Sequence, residues 1–377
     1  MTIEQFSVRG RLADTGEGIT GDELQLAARN HGMPLEGLRY DVTPPGLHYV
    51  LVHYDIPATN AADWLLEVGG CVEQPLSFGL TELRAMARRT VRVTLECAGN
   101  GRATLQPRPI SQPWLSEAVG TAEWTGVLLA DLLRLAGVRE DAVDVVFTGA
   151  DHGVERGVEQ DYQRGLSVPE AIESGAIVAW EMNGEPLPPQ HGYPLRLVLP
   201  GWYGMASVKW LRSISVIDHE FEGFQNAVAY RFRTSADEPG VAVTRIEPRA
   251  LLVPPGFPDF MSRHRFVAAG TVPLFGRAWS GWAPIERVEV STDAGVNWHE
   301  ATLDAAVGAG LGAGLGAEGN DNFAWRAFAY DWEATPGEHV LTVRAYDTSG
   351  REQPIEAEWN RGGFANNTAQ RITVLVT

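Results

Sequence analysis

Apolar and polar positions alternate with two different periods in this chain, and the changes of period mark its elements. Val93-Thr-Leu-Glu-Cys97 reads as a buried strand with β-branched side chains, and it runs straight into the turn Ala98-Gly-Asn-Gly-Arg102. Residues 64–95 predict a strand, a proline-bearing turn, a helix over Thr81 to Arg88, and a second strand. Leu128 to Ala136 carries apolar residues along one side and meets Gly137, the pattern of a helix with a glycine stop. Val143-Asp-Val-Val-Phe147 predicts a buried strand that delivers Asp151 at its end, with Asp151 and His152 on the following loop. Leu195 to Pro200 predicts a further strand, and Leu47 to Pro57 alternates as a strand closed by proline. Asp22 to Arg29 predicts a short helix with acidic residues at its start, stopped by Gly32 and Pro34.

The order of these elements predicts an α+β domain over residues 21–235, preceded by a flexible N-terminal arm over 1–20. A polar, Pro/Gly-bearing stretch from Thr234 to Gly240 marks the boundary. Beyond it, segments beginning at Gly270, Ile285, Phe323, His339 and Gln370 alternate with period two between turns, which predicts an all-β immunoglobulin-like sandwich over 241–377. The insert Gly308 to Gly316 is a low-complexity repeat of Gly, Ala and Leu, expected to be a flexible loop without chemistry.

Composition narrows the function classes. A net charge of −18 argues against nucleic acid as a partner, because neutralising phosphates takes clustered basic residues. Cys71 and Cys97 are the only cysteines, too few for a disulfide scaffold and compatible with a reducing compartment. The first residues hold neither an apolar h-region nor paired arginines, and no apolar run reaches the length of a membrane span. A cytoplasmic protein without membrane contact is therefore expected. The glycines fit neither a dinucleotide fingerprint nor a phosphate-binding P-loop. Every basic side chain but Lys209 is arginine, so that position is a candidate for a compact point charge.

Cys97 sits where strand becomes loop, followed by Gly99 and Gly101, which let backbone approach a bound group. Taken alone, it fits either a small buried hydrophobe or a soft metal ligand. Thr94-Leu-Glu-Cys-Ala-Gly-Asn-Gly-Arg102 resembles the cysteine loop of the sulfite oxidase family of molybdopterin enzymes. Further segments follow in the same order: Trp114, Thr121 to Gly126, Phe147 to Asp151, Trp180 to Pro188, His191 to Arg196, and Ser207 to Leu211. The likeness covers about residues 45 to 235.

This resemblance implies an α+β molybdopterin-binding domain with Cys97 as the molybdenum ligand. Asp151, His191, Arg196, Ser207 and Lys209 match positions that hold the pyranopterin and its phosphate; an Arg fork, a Lys point charge and a hydroxyl suit a dianion. His53 and Tyr54 fall on the segment that resembles the family's cofactor-contacting strand. His53 stands where sulfite oxidases carry arginine, which implies an imidazole titrating near neutrality in place of a permanent charge. Arg102 and Trp114 match the family's anion-binding arginine and tryptophan. Tyr230 matches the active-site tyrosine or is a core aromatic at a domain junction, and Arg361 is a further anion-site candidate. Arg29-Asn30-His31 resembles a substrate-site tripeptide but comes earlier in the chain than family order expects, and a coincidence at a helix end is the expectation.

The family chemistry implied is oxygen-atom transfer at molybdenum, here sulfite oxidation with an external electron acceptor such as a cytochrome. The alternatives are reduction of another oxo substrate, nitrate or a sulfoxide, at the same centre, or a cofactor-less binding protein. Neither haem nor flavin is expected, and the C-terminal sandwich, which resembles the family's dimerisation domain, implies a homodimer.

Overall fold

The computed structural model describes residues 2–304 and 323–377, which form two β-rich bodies with a few short helices. The first body is built on two sheets. One has five strands in the order Leu76–Gly79, Leu65–Gly70, Leu211–Ile217, Asp144–Glu155 and Val158–Ser167, and only the pairing of Leu65–Gly70 with Leu211–Ile217 is parallel. In the other, Arg89–Glu96, Val119–Leu128 and Ile177–Met182 pair antiparallel, with Glu185–Pro186 and Arg196–Val198 added to the last. Val119–Leu128 is buried almost throughout because its two faces serve different cores: Val119 and Val127 pack in one, Ala122 and Trp124 in another.

The helix Leu129–Ala136 buries Leu129, Leu132, Leu133 and Ala136, one stripe at helical spacing. Gly137 ends it at φ 70, where its N–H reaches the Leu133 carbonyl. Helix Gly21–Arg29 is capped by Thr20, whose hydroxyl accepts the Glu23 N–H. The helix expected over residues 81–88 is shorter, Leu80–Ala85.

The second body is the expected immunoglobulin-like sandwich. A four-stranded sheet, Arg249–Leu252, Gly270–Trp279, Arg326–Ala334 and Thr302–Leu303, faces a six-stranded one that contains Ile285–Ser291, Gly337–Asp347 and Arg371–Val376. Leu274, Phe328 and Trp332 from the first interlock with Val288, Val343 and Val374 from the second. The two bodies share a core, because Leu251, Trp279 and Trp325 belong to the apolar cluster of the first. Arg277 ties the joint, its Nε donating to the Leu38 carbonyl at 2.9 Å and its Nη2 to Asp41 at 2.8 Å.

Three expectations need correction. Residues 47–57 form no strand. Their backbone partners include a single bridge between Val50 and His31, the Asn30 side chain, which accepts the Val52 N–H at 2.7 Å, and Lys209, which donates to the Leu51 carbonyl at 2.7 Å. Arg29-Asn30-His31 is therefore a prop under this segment, with Arg29 also donating to the His53 carbonyl at 3.3 Å. Second, Asp151 lies within the twelve-residue strand Asp144–Glu155 and not on a loop after it; the ladder breaks register between Thr148 and His152, and that irregularity turns Asp151 inward. Third, the N-terminal arm is anchored. Leu12 bridges Pro109, and the buried Arg108 pairs with Glu23 at 3.0 Å while donating to the Gly18 carbonyl at 2.8 Å. The glycine-rich insert 308–316 lies outside the described residues. Among the described residues no helix is long and apolar enough to cross a membrane.

Candidate active site

The strand Arg89–Glu96 carries the cysteine to the end of its sheet. There the Cys97 N–H bonds the Ala118 carbonyl at 2.9 Å, and the Cys97 carbonyl accepts from Asn100 at 3.0 Å, which closes a tight turn. Glu96, next to the cysteine, is fully buried and held from three sides. Asn100 Nδ2 reaches it at 2.9 Å, the Trp279 indole N–H at 2.8 Å, and Arg249 lies 3.0 Å away. Trp279 and Arg249 come from the sandwich, so the second body fixes the cysteine loop of the first.

Gly99 and Gly101 serve this chain's own side chains as well as any guest. A Cβ on Gly99 would fall 2.6 Å from three guanidinium atoms of Arg102, and Gly101 has φ +89 against the Asn366 backbone. Gly99→Ala therefore displaces Arg102. On the order of a hundredfold loss in kcat/KM at unchanged metal content is expected, checked by steady-state kinetics beside metal analysis.

Cys97 lines a cleft whose space, counted together with open solvent, is about 590 Å³. Asp151, His191, Arg196, Ser207 and Lys209 line it, as do His53 and Tyr230. Several buried polar atoms facing this region lack a hydrogen-bond partner among the described residues: Asp151 Oδ1, His191 Nε2 and Arg196 Nε. Such atoms cost about 1–3 kcal/mol each when left unmatched, so their clustering marks a place for a polar guest. Arg196 donates to the His191 carbonyl at 3.0 Å and the Ser207 carbonyl at 3.3 Å, and its guanidinium stacks 4.6 Å from the Trp124 ring centroid. Lys209 spends two N–H groups on the Leu51 and Gln190 carbonyls, at 2.7 and 3.1 Å. Burial pushes the Lys209 ammonium down and the Asp151 carboxyl up, and each opposes the other's shift.

Charge pairing separates this region from the rest of the molecule. Seven arginines are buried, and Arg108, Arg249, Arg265 and Arg277 each have a carboxylate within 4 Å. Arg102, Arg164 and Arg196, like Lys209, have none among the described residues, and all four lie around the cleft or behind its wall. Uncompensated buried cations are costly, and an anion supplied from outside the chain removes the cost.

Beside Cys97, Arg102 Nε donates to the Gly362 carbonyl at 2.9 Å and its guanidinium faces the Phe364 ring at 5.3 Å. His53 Nε2 and the Tyr230 hydroxyl are 2.8 Å apart. The imidazole expected to titrate near neutrality does not. Burial, then Lys209, Arg29, Arg164 and Arg102, push His53 down to about 3. Burial likewise raises the Cys97 thiol, against the Arg102 charge, the Gly99 N–H and the Trp114 indole, each of which favours thiolate.

Four sequence candidates do not line the cleft: Arg102 and Trp114, which stand beside Cys97 instead, and Tyr54 and Arg361. The Tyr54 hydroxyl turns away and accepts from Gln225 Nε2 at 3.3 Å. Arg361 does not line the cleft; its backbone N–H bonds the Arg233 carbonyl at 2.7 Å, and its neighbours Gly362 and Phe364 are what touch Arg102. Sequence reasoning passed over Tyr49 and Tyr162, which line the cleft, and Arg164 behind it. Each reads in sequence as an ordinary strand or core residue, and no local signal marks it.

His48 and His191 are also buried, with burial as the main cause of pKa values near 4 and 2. Above pH 6.5 both are neutral folded or unfolded and contribute nothing. Below that, the unfolded chain binds protons that the folded one refuses, so stability falls by about 1.4 kcal/mol per pH unit for each histidine. Thermal unfolding followed from pH 7 to pH 5 is expected to show this decline, with a shallower slope in His48→Asn.

Among the described residues no three His, Cys, Asp or Glu side chains converge as an all-protein metal site. A metal at Cys97 would take its other ligands from outside such a cluster, as a pterin-bound metal does. The orphaned acceptor and donors, and the unpaired cations at Arg196 and Lys209, fit the polar head and phosphate of such a group.

Comparison with known proteins agrees with this geometry. Residues 53–225 match the oxidoreductase molybdopterin binding domain, and residues 257–377 the Mo-co oxidoreductase dimerisation domain. The sulfite oxidase of Arabidopsis thaliana is 31% identical over 349 residues, which span 88% of this chain and 87% of that protein. NADH nitrate reductase 2 of Phaseolus vulgaris is 29% identical over 368 residues, and this chain spans only 40% of its length. The sulfane dehydrogenase SoxCD of Paracoccus pantotrophus superposes with a TM-score of 0.77 at 25% identity, covering 98% of this chain and 90% of the other. On these matches, and with a cleft of the required chemistry, the chain belongs to the sulfite oxidase family of molybdopterin-dependent oxidoreductases.

Proposed function

We propose that this enzyme oxidises sulfite to sulfate and passes the electrons to an external acceptor. Net, sulfite and water give sulfate, two protons and two electrons, the electrons leaving singly to a one-electron carrier. The observation that carries the proposal is the unpaired, buried Arg102 guanidinium beside Cys97, which needs an anion where a sulfur oxyanion would sit. The molybdenum cofactor, when bound, supplies the two-electron redox chemistry and the oxygen-atom transfer.

The chain's own residues do the rest. Cys97 is the metal ligand, and Asp151, His191, Arg196, Ser207 and Lys209 hold the pterin and its phosphate. Arg102, the Trp114 N–H and the Tyr230 hydroxyl hold the oxyanion, and the apolar walls of the cleft keep bulk water from weakening those contacts. His53 is a neutral partner to Tyr230 and adds no charge. KM for sulfite is therefore expected to show no break attributable to His53 between pH 6 and 8, so that wild type and His53→Asn give parallel profiles; a wild-type break absent from the variant contradicts this.

Support for sulfite over nitrate comes from the sulfite oxidase relative, of which the chain spans nearly the whole length. Turnover of sulfite with ferricyanide, set beside reduction of nitrate by reduced methyl viologen, tests it. Sulfite turnover without nitrate turnover supports the proposal, and the reverse overturns it. The homodimer implied by the dimerisation domain is checked by sedimentation of the purified protein.

A further inference from the structure

Arg164 is the buried, unpaired cation that neither the metal loop nor the pterin cradle uses. It lies on the strand Val158–Ser167 opposite Phe147 and is 4% exposed. Its Nη1 donates to the Gln225 carbonyl at 2.5 Å, its Nε has no partner among the described residues, and its guanidinium carbon sits 5.6 Å from the centroid of the Tyr230 ring.

Gln225 begins a π-helical turn, Gln225–Ala229, that ends at Tyr230. The Gln225 carbonyl also accepts the Tyr230 N–H, at a long 3.4 Å, so Arg164 supplies the shorter of two bonds to that oxygen. A wide turn has poor internal hydrogen bonding and needs such an outside tie. Arg164 thus grips both the backbone that launches Tyr230 and the face of its ring. Tyr230 in turn meets His53 at 2.8 Å, at the position where the family resemblance implies an arginine.

We propose that Arg164 is a positioning residue of the oxyanion pocket: it fixes Tyr230 through the π-turn and supplies, from behind the ring, fixed positive charge to a pocket with histidine at position 53. Its ligand class is a small divalent oxyanion. Burial is the main influence on both partners, lowering the His53 imidazole and raising the Tyr230 phenol, and the Arg164 charge adds to the first shift and opposes the second. The inference rests on the substrate end described under the proposed function, but it does not require that sulfite be the substrate.

The test uses holoenzyme with sulfate as the probe, titrated calorimetrically into wild type, Arg164→Gln and Arg164→Lys, with molybdenum content measured for each. Arg164→Gln keeps a donor for the Gln225 carbonyl and loses the charge; Arg164→Lys keeps the charge. About a tenfold weaker sulfate affinity is expected in Arg164→Gln, with most of it restored in Arg164→Lys and equal metal in all three. Where sulfite is turned over, KM is expected to rise by a similar factor while kcat changes by less than about threefold. Equal sulfate affinity in wild type and Arg164→Gln overturns the inference. So does an Arg164→Lys protein as weak as Arg164→Gln, because that outcome means the residue matters for shape and not for charge. Wild type that binds sulfate but does not oxidise sulfite rejects the proposed substrate and leaves this comparison decisive. Wild type that binds no sulfate removes the oxyanion pocket, and the inference with it.

Discussion

Cys97→Ser is expected to abolish turnover with every substrate while leaving the thermal midpoint close to that of the wild type. The change exchanges a soft thiolate for a hard, poorly ionised hydroxyl at nearly constant volume, and Cys97 is almost fully buried in a turn that its backbone, not its sulfur, holds closed. The partners of the sulfur, the Gly99 N–H and the Trp114 indole, favour its thiolate but do not close the turn. Activity in this variant above that of a blank, at full cofactor content, means that the thiol is a packing group. Unfolding of the variant means that the loop depends on sulfur in a way that these contacts do not explain.

The second large effect is on stability and comes from the other domain. Arg249→Met leaves the Glu96 carboxylate buried without its cation, and removing one member of such a pair costs about 3–5 kcal/mol. Because Glu96 precedes the cysteine, the same change loosens the metal loop, and a lower molybdenum content is expected together with a lower melting temperature. The double variant Glu96→Gln/Arg249→Met removes the stranded charge and is expected to recover most of the stability, since buried pairs replaced together are often close to neutral. Calorimetric melting of the two single variants and the double one checks this. Additive losses would mean that the pair is not energetically coupled and that the sandwich does not hold the loop through Glu96.

Local features of the site were legible in the sequence. The strand into Cys97, the turn glycines and the five-residue step to Arg102 are set by neighbours in the chain, as is the glycine-stopped helix at Leu129–Ala136. The alternation at residues 47–57 is real, but side-chain alternation states only which residues face inward. It does not say whether backbone groups meet another strand, and here they meet Asn30, His31 and Lys209. Contacts between distant parts of the chain leave no local trace: Glu96 with Arg249, Arg102 with Gly362, and Arg164 with Tyr230. The neutrality of His53 was hidden for the same reason, since burial and four cations from separate segments set it. Tyr49 and Tyr162 looked like core aromatics because they are largely buried, and only the cleft gives them a second role.

The claim on which all of this depends is a bond between the Cys97 sulfur and a pterin-bound molybdenum. Molybdenum K-edge X-ray absorption on purified wild-type and Cys97→Ser protein, both expressed with molybdate supplied, tests it most directly. The account predicts a metal with sulfur ligands in the wild type and one sulfur fewer in the variant. An identical sulfur shell in the two proteins, or no molybdenum in cofactor-replete wild type, would contradict it.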